Sequence, residues 1–354
     1  MNKVSKLIYA LLIALLLCWQ LPWLYDFLSM KLERTPFALY SSVIDDFALS
    51  GFEEGKGLVR TDLAGNSYTD KEFDEILPFF YVRQLLADQR FPAQVAGRAV
   101  SPREAQLNNF IFRSIPSEIN KPDPGLYFLL ESFSGRLELD MPTDVFRINE
   151  QGIEFIDMDS NRLDRAKSEL FSTTMEKKGF VFPAQLIHSN PTTRKEYDNG
   201  FLLTDAKQQL YHLKMMAGRP FVRPIALPVG MQLEAVWVTE FSSKKILGFL
   251  LDSGQQLHVL TANYEVHPLG MGKFDPKQEA LTIFGNLLDW TVVVANTEVE
   301  RLYALDAETY KVLKVHEFRA KNESFGERYR SVLMPIRLQF TSGLDKFVYP
   351  RFNF

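Results

Sequence analysis

Five histidines and a scatter of turn carboxylates are the residues of this 354-residue chain whose types suit chemistry. The histidines are His188, His212, His258, His267 and His316, and none stands in H-E-x-x-H or another close metal-ligand spacing. His212 and His258 draw notice because they lie in two stretches of matching text. Aligning Leu210 with Leu257 sets His258 opposite Tyr211 and His212 opposite Val259. Side chains alternate faces along a strand, so the two should point to opposite sides of their own sheets, and no shared metal site is expected. Asp157, Asp159, Asp205 and Asp252 fall in Asx-rich turns, where a carboxylate already has a structural task. Two well-spaced carboxyls would suffice for glycoside hydrolysis, but their separation in space is not a property of the sequence. There is no G-x-S-x-G elbow and no Gly-rich phosphate loop. No catalytic residue, cofactor site or metal ligand is assigned, and binding is favoured over catalysis.

Two groups of residues are candidate partner contacts. Thr192-Thr193-Arg194-Lys195-Glu196-Tyr197-Asp198-Asn199-Gly200 is the densest polar segment before a strand. The plainer reading is a solvated loop ending in an Asn-Gly turn. The sharper one is a recognition loop using Arg194, Lys195 and Tyr197, since loops on rigid scaffolds often carry binding. The second group is Trp19, Gln20 and Trp23, beside the rigid Pro22. It either marks a membrane boundary or touches a protein partner.

That second group ends an apolar run, and the run needs its own account. Residues 7–25 are broken only by Gln20 and are about long enough to cross a bilayer. Lys3 and Lys6 precede them, which sets residues 1–6 in the cytoplasm and the bulk of the chain outside. Cleavage is disfavoured, because Leu15-Leu16-Leu17-Cys18-Trp19-Gln20 lacks the small residues of a cut site. Leu17 before Cys18 also breaks a lipid-attachment pattern, and Cys18 is the single cysteine, so the exported part holds no disulfide. Residues 26–36 read as a juxtamembrane segment and 37–354 as one folded domain. The net charge of −4 argues against nucleic acid.

The domain reads as mainly β. Gly200-Phe201-Leu202-Leu203-Thr204-Asp205 and Gly248-Phe249-Leu250-Leu251-Asp252 are near copies, each leading through a polar turn to a second strand. Leu163, Leu210, Leu257, Leu302 and Phe347 extend the spacing at 45 to 47 residues, the size of a propeller blade. The expectation is a propeller-like repeat with helical decorations, the alternative an irregular β-sandwich. The two near copies should form equivalent hairpins, with Phe201 matching Phe249 and Asp205 matching Asp252. Further hairpins are expected at 57–69 and 126–139. Helices are expected over 70–90, where Phe73, Leu77, Tyr81 and Leu85 share a side, and over 164–178.

Four phrases point further: Leu77-Pro78-Phe79-Phe80-Tyr81-Val82-Arg83-Gln84-Leu85, Glu131-Ser132-Phe133-Ser134-Gly135-Arg136, Met141-Pro142-Thr143-Asp144-Val145-Phe146-Arg147-Ile148, and Arg194-Lys195-Glu196-Tyr197-Asp198-Asn199-Gly200. With the anchor and the length, the chain resembles a bacterial family of unknown function whose members are often encoded beside ABC-type transporter subunits. The resemblance implies a single-pass protein of the bacterial inner membrane, facing the periplasm or the outside. Its implied partners are the membrane and integral-membrane transporter subunits. It carries over no catalytic residue. The rival readings are a membrane-tethered, glycan-active hydrolase or lyase on a propeller, and an envelope ligand sensor.

Overall fold

A computed structural model of the chain describes residues 3–29, 35–53, 55–133, 135, 138–319, 329 and 332–353. Helix α1 (Lys3–Ser29) carries apolar, exposed side chains on all sides. It is long and apolar enough to cross a membrane, a test that a signal sequence also passes.

Past α1 the fold is mainly antiparallel sheet. Strands β1 (Phe37–Ser41), β2 (Asp46–Glu53) and β3 (Gly57–Asp62) form the first sheet. A partly helical insert follows, with α2 (Asp70–Ile76), α3 (Val82–Ala87), the short pair β4 (Gln94–Val95) and β5 (Arg98–Ala99), and α4 (Pro102–Asn108). Then come β6 (Phe110–Ser114) and α5 (Pro116–Ile119). The second sheet is β7 (Asp144–Asn149), β8 (Gly152–Asp157) and β9 (Arg162–Asp164), covered by α6 (Arg165–Lys177). The third is β10 (Ile187–Ser189), β11 (Phe201–Thr204), β12 (Leu210–Met216) and β13 (Arg219–Ile225). The fourth is β14 (Leu233–Val238), β15 (Ile246–Asp252), β16 (Leu257–Thr261) and β17 (Val266–Pro268). The fifth is β18 (Ala280–Gly285), β19 (Asp289–Ala295), β20 (Val299–Asp306) and β21 (Val312–Arg319), with β6 added beside β18. A hairpin of β22 (Arg337–Gln339) and β23 (Arg351–Asn353) packs on α1.

The sheets stack face to face in series. Phe146 and Phe155 of the second meet Phe201 and Leu203 of the third. Leu202 and Leu210 of the third meet Leu250 and Leu260 of the fourth. Phe249 and Leu257 of the fourth meet Ile283 and Val292 of the fifth. Leu302 and Ala304 of the fifth meet Ala38 and Phe47 of the first, so the first sheet in sequence lies against the fifth. Central sheets covered on both faces explain the unbroken apolar runs of β11 and β15.

Several expectations are corrected. The helix over 70–90 is two helices, because Pro78 holds Leu77 out of the helical region and ends α2. The segment 164–178 does form α6, capped by the Asp164 carboxylate. Helix α4 was legible but missed: Ser101 and Glu104 form a capping box around Pro102. The expected hairpin at 57–69 reduces to a bridge between Thr61 and Ser67, since β3 pairs back onto β2. At 126–139, Tyr127 bridges Phe146 and Glu131 bridges Met215, while Arg136 and Leu137 lie outside the described residues. Leu163, Leu210, Leu257 and Leu302 each sit in the second strand of a hairpin, but Phe347 lies between β22 and β23, outside both.

The two near copies match in their turns and slip in their strands. Asp205 Oδ1 accepts from the backbone N–H of Lys207 and Gln209, and Asp252 Oδ1 from those of Gly254 and Gln256. Gln208 and Gln255 both take positive φ. The closing pairs are Thr204 with Leu210 and Leu251 with Leu257. By that register Leu202, not Phe201, is the equivalent of Phe249, and the clusters agree, since Leu202 and Phe249 each face the next sheet. A register shift between Ile246 and Gly248 marks the irregular strand, and one residue of slip turns every side chain to the other face.

Candidate functional site

Where the fifth sheet meets the first and the helical insert, the structure leaves an aromatic cavity of about 500 Å3. Three pieces of chain define it: the end of β1 with Ser42, the α2–α3 connection at Leu77–Phe80, and the β18–β19 turn. Asn109 and Phe110, at the start of β6, complete the wall.

The polar groups here are held by local geometry. Asn286 Oδ1 accepts from the backbone N–H of Leu288 and Asp289, and its Nδ2 donates to Asp289 Oδ1 at 2.9 Å. This Asx turn fixes the Asp289 carboxyl at the start of β19. The Tyr40 N–H donates to Thr291 Oγ1 at 2.8 Å and pins β1 over β19. Asn109 Nδ2 donates to the Phe79 carbonyl, while its buried Oδ1 has no partner among the described residues. Gly285 is required at the end of β18, because a Cβ there would stand about 2.1 Å from the Phe110 ring.

Asp289 is buried, and burial pushes its carboxyl up to about 7, against hydrogen bonds from Asn286 and Ser42. A carboxyl balanced near neutrality can either donate or accept a hydrogen bond. Among the described residues lining the cavity it is the one carboxyl. The arrangement therefore suits holding one polar group of an otherwise apolar molecule, not the paired carboxylates of glycoside hydrolysis. Among the described residues, no group of three or more His, Cys, Asp or Glu is placed to hold a metal ion.

The polar segment 192–200 is not a solvated loop. The Lys195 side chain is 4% exposed, and its Nζ meets Asp198 Oδ1 and Glu240 Oε1 at 2.6 Å each and the Asn190 carbonyl at 2.7 Å. Asp198 Oδ2 accepts from Ser132 Oγ and the Gly200 N–H. Glu240 also accepts from the Asn199 N–H and Asn190 Nδ2. Tyr197 donates to the Phe241 carbonyl at 2.9 Å, and Arg194 is exposed. Lys195 and Tyr197 thus tie the third sheet to the β14–β15 connection.

On α1, Gln20 and Trp23 are exposed, Trp23 stacks on Phe27, and Trp19 meets the Phe340 ring edge-on at 5.1 Å. His212 and His258 do point to opposite sides of their own sheets. His212 Nε2 donates to the Asn199 carbonyl while its Nδ1 accepts from Tyr264, and His258 pairs with Asp252. Sequence reasoning missed Asp289, Asn286 and Asn109. An Asn-x-x-Asp step before a strand was the one local signal, and many turns share it.

Residues 37–305 match the family described as a domain of unknown function, DUF4857, and the chain belongs to that family. No curated protein matches it. Among solved structures, it is similar to PorZ, a surface component of the type-IX secretion system of Porphyromonas gingivalis, at 9% identity and a TM-score of 0.25. That match covers 82% of this chain and 28% of PorZ. A Dos1 propeller is similar at 11% identity and a TM-score of 0.29, over 82% of this chain and 63% of that one. The Cps50 (Swd1) β-propeller domain of Myceliophteria thermophila is similar at 9% identity and a TM-score of 0.27, over 83% and 88%. The chain spans less than two thirds of the length of the first two.

Proposed function

We propose that this family member is a single-pass, membrane-anchored, propeller-like binding protein facing away from the cytoplasm. Its role is that of an accessory subunit beside the integral-membrane subunits of an ABC-type transport assembly. One observation carries the anchored reading: β22 packs on α1, with Trp19 edge-on to Phe340. A leader removed on export would take half of that contact with it, whereas a retained helix keeps it. Lys3 and Lys6 ahead of the span favour the outward orientation. Serial blade-sized sheets packed face to face support the propeller-like reading, and a stiff stack can hold a partner at a fixed height. The transporter role rests on the family resemblance.

The test is purification of full-length protein from membranes in mild detergent, with mass spectrometry of the chain and of what it retains. The expected result is an intact α1 and co-purifying transporter subunits. A mature chain beginning after residue 29 removes the anchor. An intact chain that purifies alone removes the transporter role.

The cavity favours a second reading, a sensor for a small aromatic or alkyl ligand with one polar group. Ile111 is exposed and lines the cavity, so Ile111→Trp should narrow it without disturbing the core. Small aromatic amines and alcohols should raise the thermal midpoint of the native protein and not of this variant. No shift with any of them counts against this reading.

A further inference from the structure

The chain's last described segment has an unusual surface. Leu333, Phe347, Val348, Tyr349 and Phe352 are all exposed, Val348 by 74%. Three of the segment's charges are engaged, while Arg337 Nε is buried without a partner among the described residues. Arg351 pairs with Asp345 at 2.7 Å and lies 3.9 Å over the Tyr349 ring, and Lys346 pairs with Glu118. Asn120 Nδ2 donates to the Leu344 carbonyl at 2.7 Å, which ties the segment to the domain. On its other side β22 lies on α1 at Trp19, next to Gln20 and Trp23. Exposed apolar residues grouped this way mark an interaction surface.

We propose that residues 332–352 rest in the outer lipid interface beside α1, as a second membrane contact of the domain. This rests on the reading of α1 as a retained span. Continuity with that span identifies the occupant: the segment lies at the level where Trp19 and Trp23 mark the aromatic belt, and its own Phe and Tyr residues suit that depth. The headgroup region is the level required, because a two-stranded hairpin leaves unpaired edge groups that the hydrocarbon core would not satisfy.

The test uses the full-length chain with Cys18→Ser as background, and one new cysteine at either Ala10 or Val348. Each carries an environment-sensitive fluorophore, and the protein is reconstituted in phosphatidylcholine–phosphatidylglycerol vesicles. Val348 is largely exposed, so Val348→Cys should leave the fold intact. Lipid spin-labelled near the headgroup should quench position 348, lipid spin-labelled in the chain should quench position 10, and aqueous iodide should quench neither. Quenching of position 348 by iodide alone, with position 10 still quenched by lipid, overturns the second contact and leaves the anchor standing. Shielding of position 348 from both quenchers means that protein covers it, and overturns the inference too. No lipid quenching at either position removes the anchor and the inference together.

Discussion

Phe241 lies flat on Phe110, with ring centroids 4.2 Å apart and planes 21° apart. Phe110 lines the cavity, and Phe241 follows Glu240, which holds Lys195. The carbonyl of Phe241 is also the acceptor for Tyr197. The buried polar segment therefore braces one wall of the cavity through a single aromatic pair. A change in the ion cluster should be felt as a change in cavity shape.

Lys195→Met should be severely destabilising. It leaves Asp198 and Glu240 buried without the cation between them, at a cost of about 3–5 kcal/mol. Glu240→Gln should cost less, because Lys195 and Asp198 remain a balanced pair. Urea unfolding of both variants checks this, and a Lys195→Met midpoint equal to the native one contradicts it.

Gly285→Ala should displace Phe110 from Phe241 and from Trp290, which the ring meets edge-on at 5.1 Å. Overpacking of this kind costs about 1–3 kcal/mol. The second expected effect is loss of any ligand-induced thermal shift, because the displaced ring enters the cavity. An alanine variant with native stability would mean the backbone yields at no cost.

Acid sensitivity should steepen in Asp289→Asn. Burial lowers both His188 and His212 from 6.5 to about 4, so as pH falls through that window the unfolded chain takes two protons that the folded state refuses, and stability is lost. Asp289 acts with the opposite sign. Its folded value is raised from 3.8 to about 7, so the folded state takes up a proton first and gains stability as pH falls. Removing the opposing proton of Asp289 should therefore make the loss of stability in the asparagine variant steeper by about 1.4 kcal/mol per pH unit. Urea midpoints between pH 6 and 4.5 measure it, and equal slopes in the two proteins would count against a neutral, buried Asp289.

Asp205→Ala and Asp252→Ala should both destabilise, by about 1–3 kcal/mol each, since each removes the acceptor for two turn N–H groups. Asp205 should cost more, being fully buried; each change also removes a third partner, the Val181 N–H from Asp205 and His258 Nε2 from Asp252. The two effects should add in the double variant because the turns lie in different sheets. Strong non-additivity would deny that the turns are independent copies.

What could be read from the sequence was local. Period-two runs and Asx turns depend on neighbours within a few residues, and β12 and β16 stand where those signals put them; α6 falls within the helix expected over 164–178. The slip between Phe201 and Phe249 was hidden because one residue is missing between the copies, and only pairing shows where. Lys195 looked like a surface charge because its partner Glu240 lies forty-five residues on. The cavity joins β1, the α2–α3 connection, β6 and β19, pieces brought together only by the stacking of sheets.

The contact between the first sheet and the fifth also sets an order of events during synthesis. β1 to β3 emerge soon after the anchor, yet the surface that covers Ala38 and Phe47 belongs to β20, some 260 residues later. β6 must likewise wait for β18 to reach its pairing edge. Such distant pairings are slow to close, and strands waiting for them are open to wrong partners. While its leading sheet waits, the nascent chain carries an uncovered apolar face. Shielding of that face until the fifth sheet arrives is a demand this architecture makes on the cell.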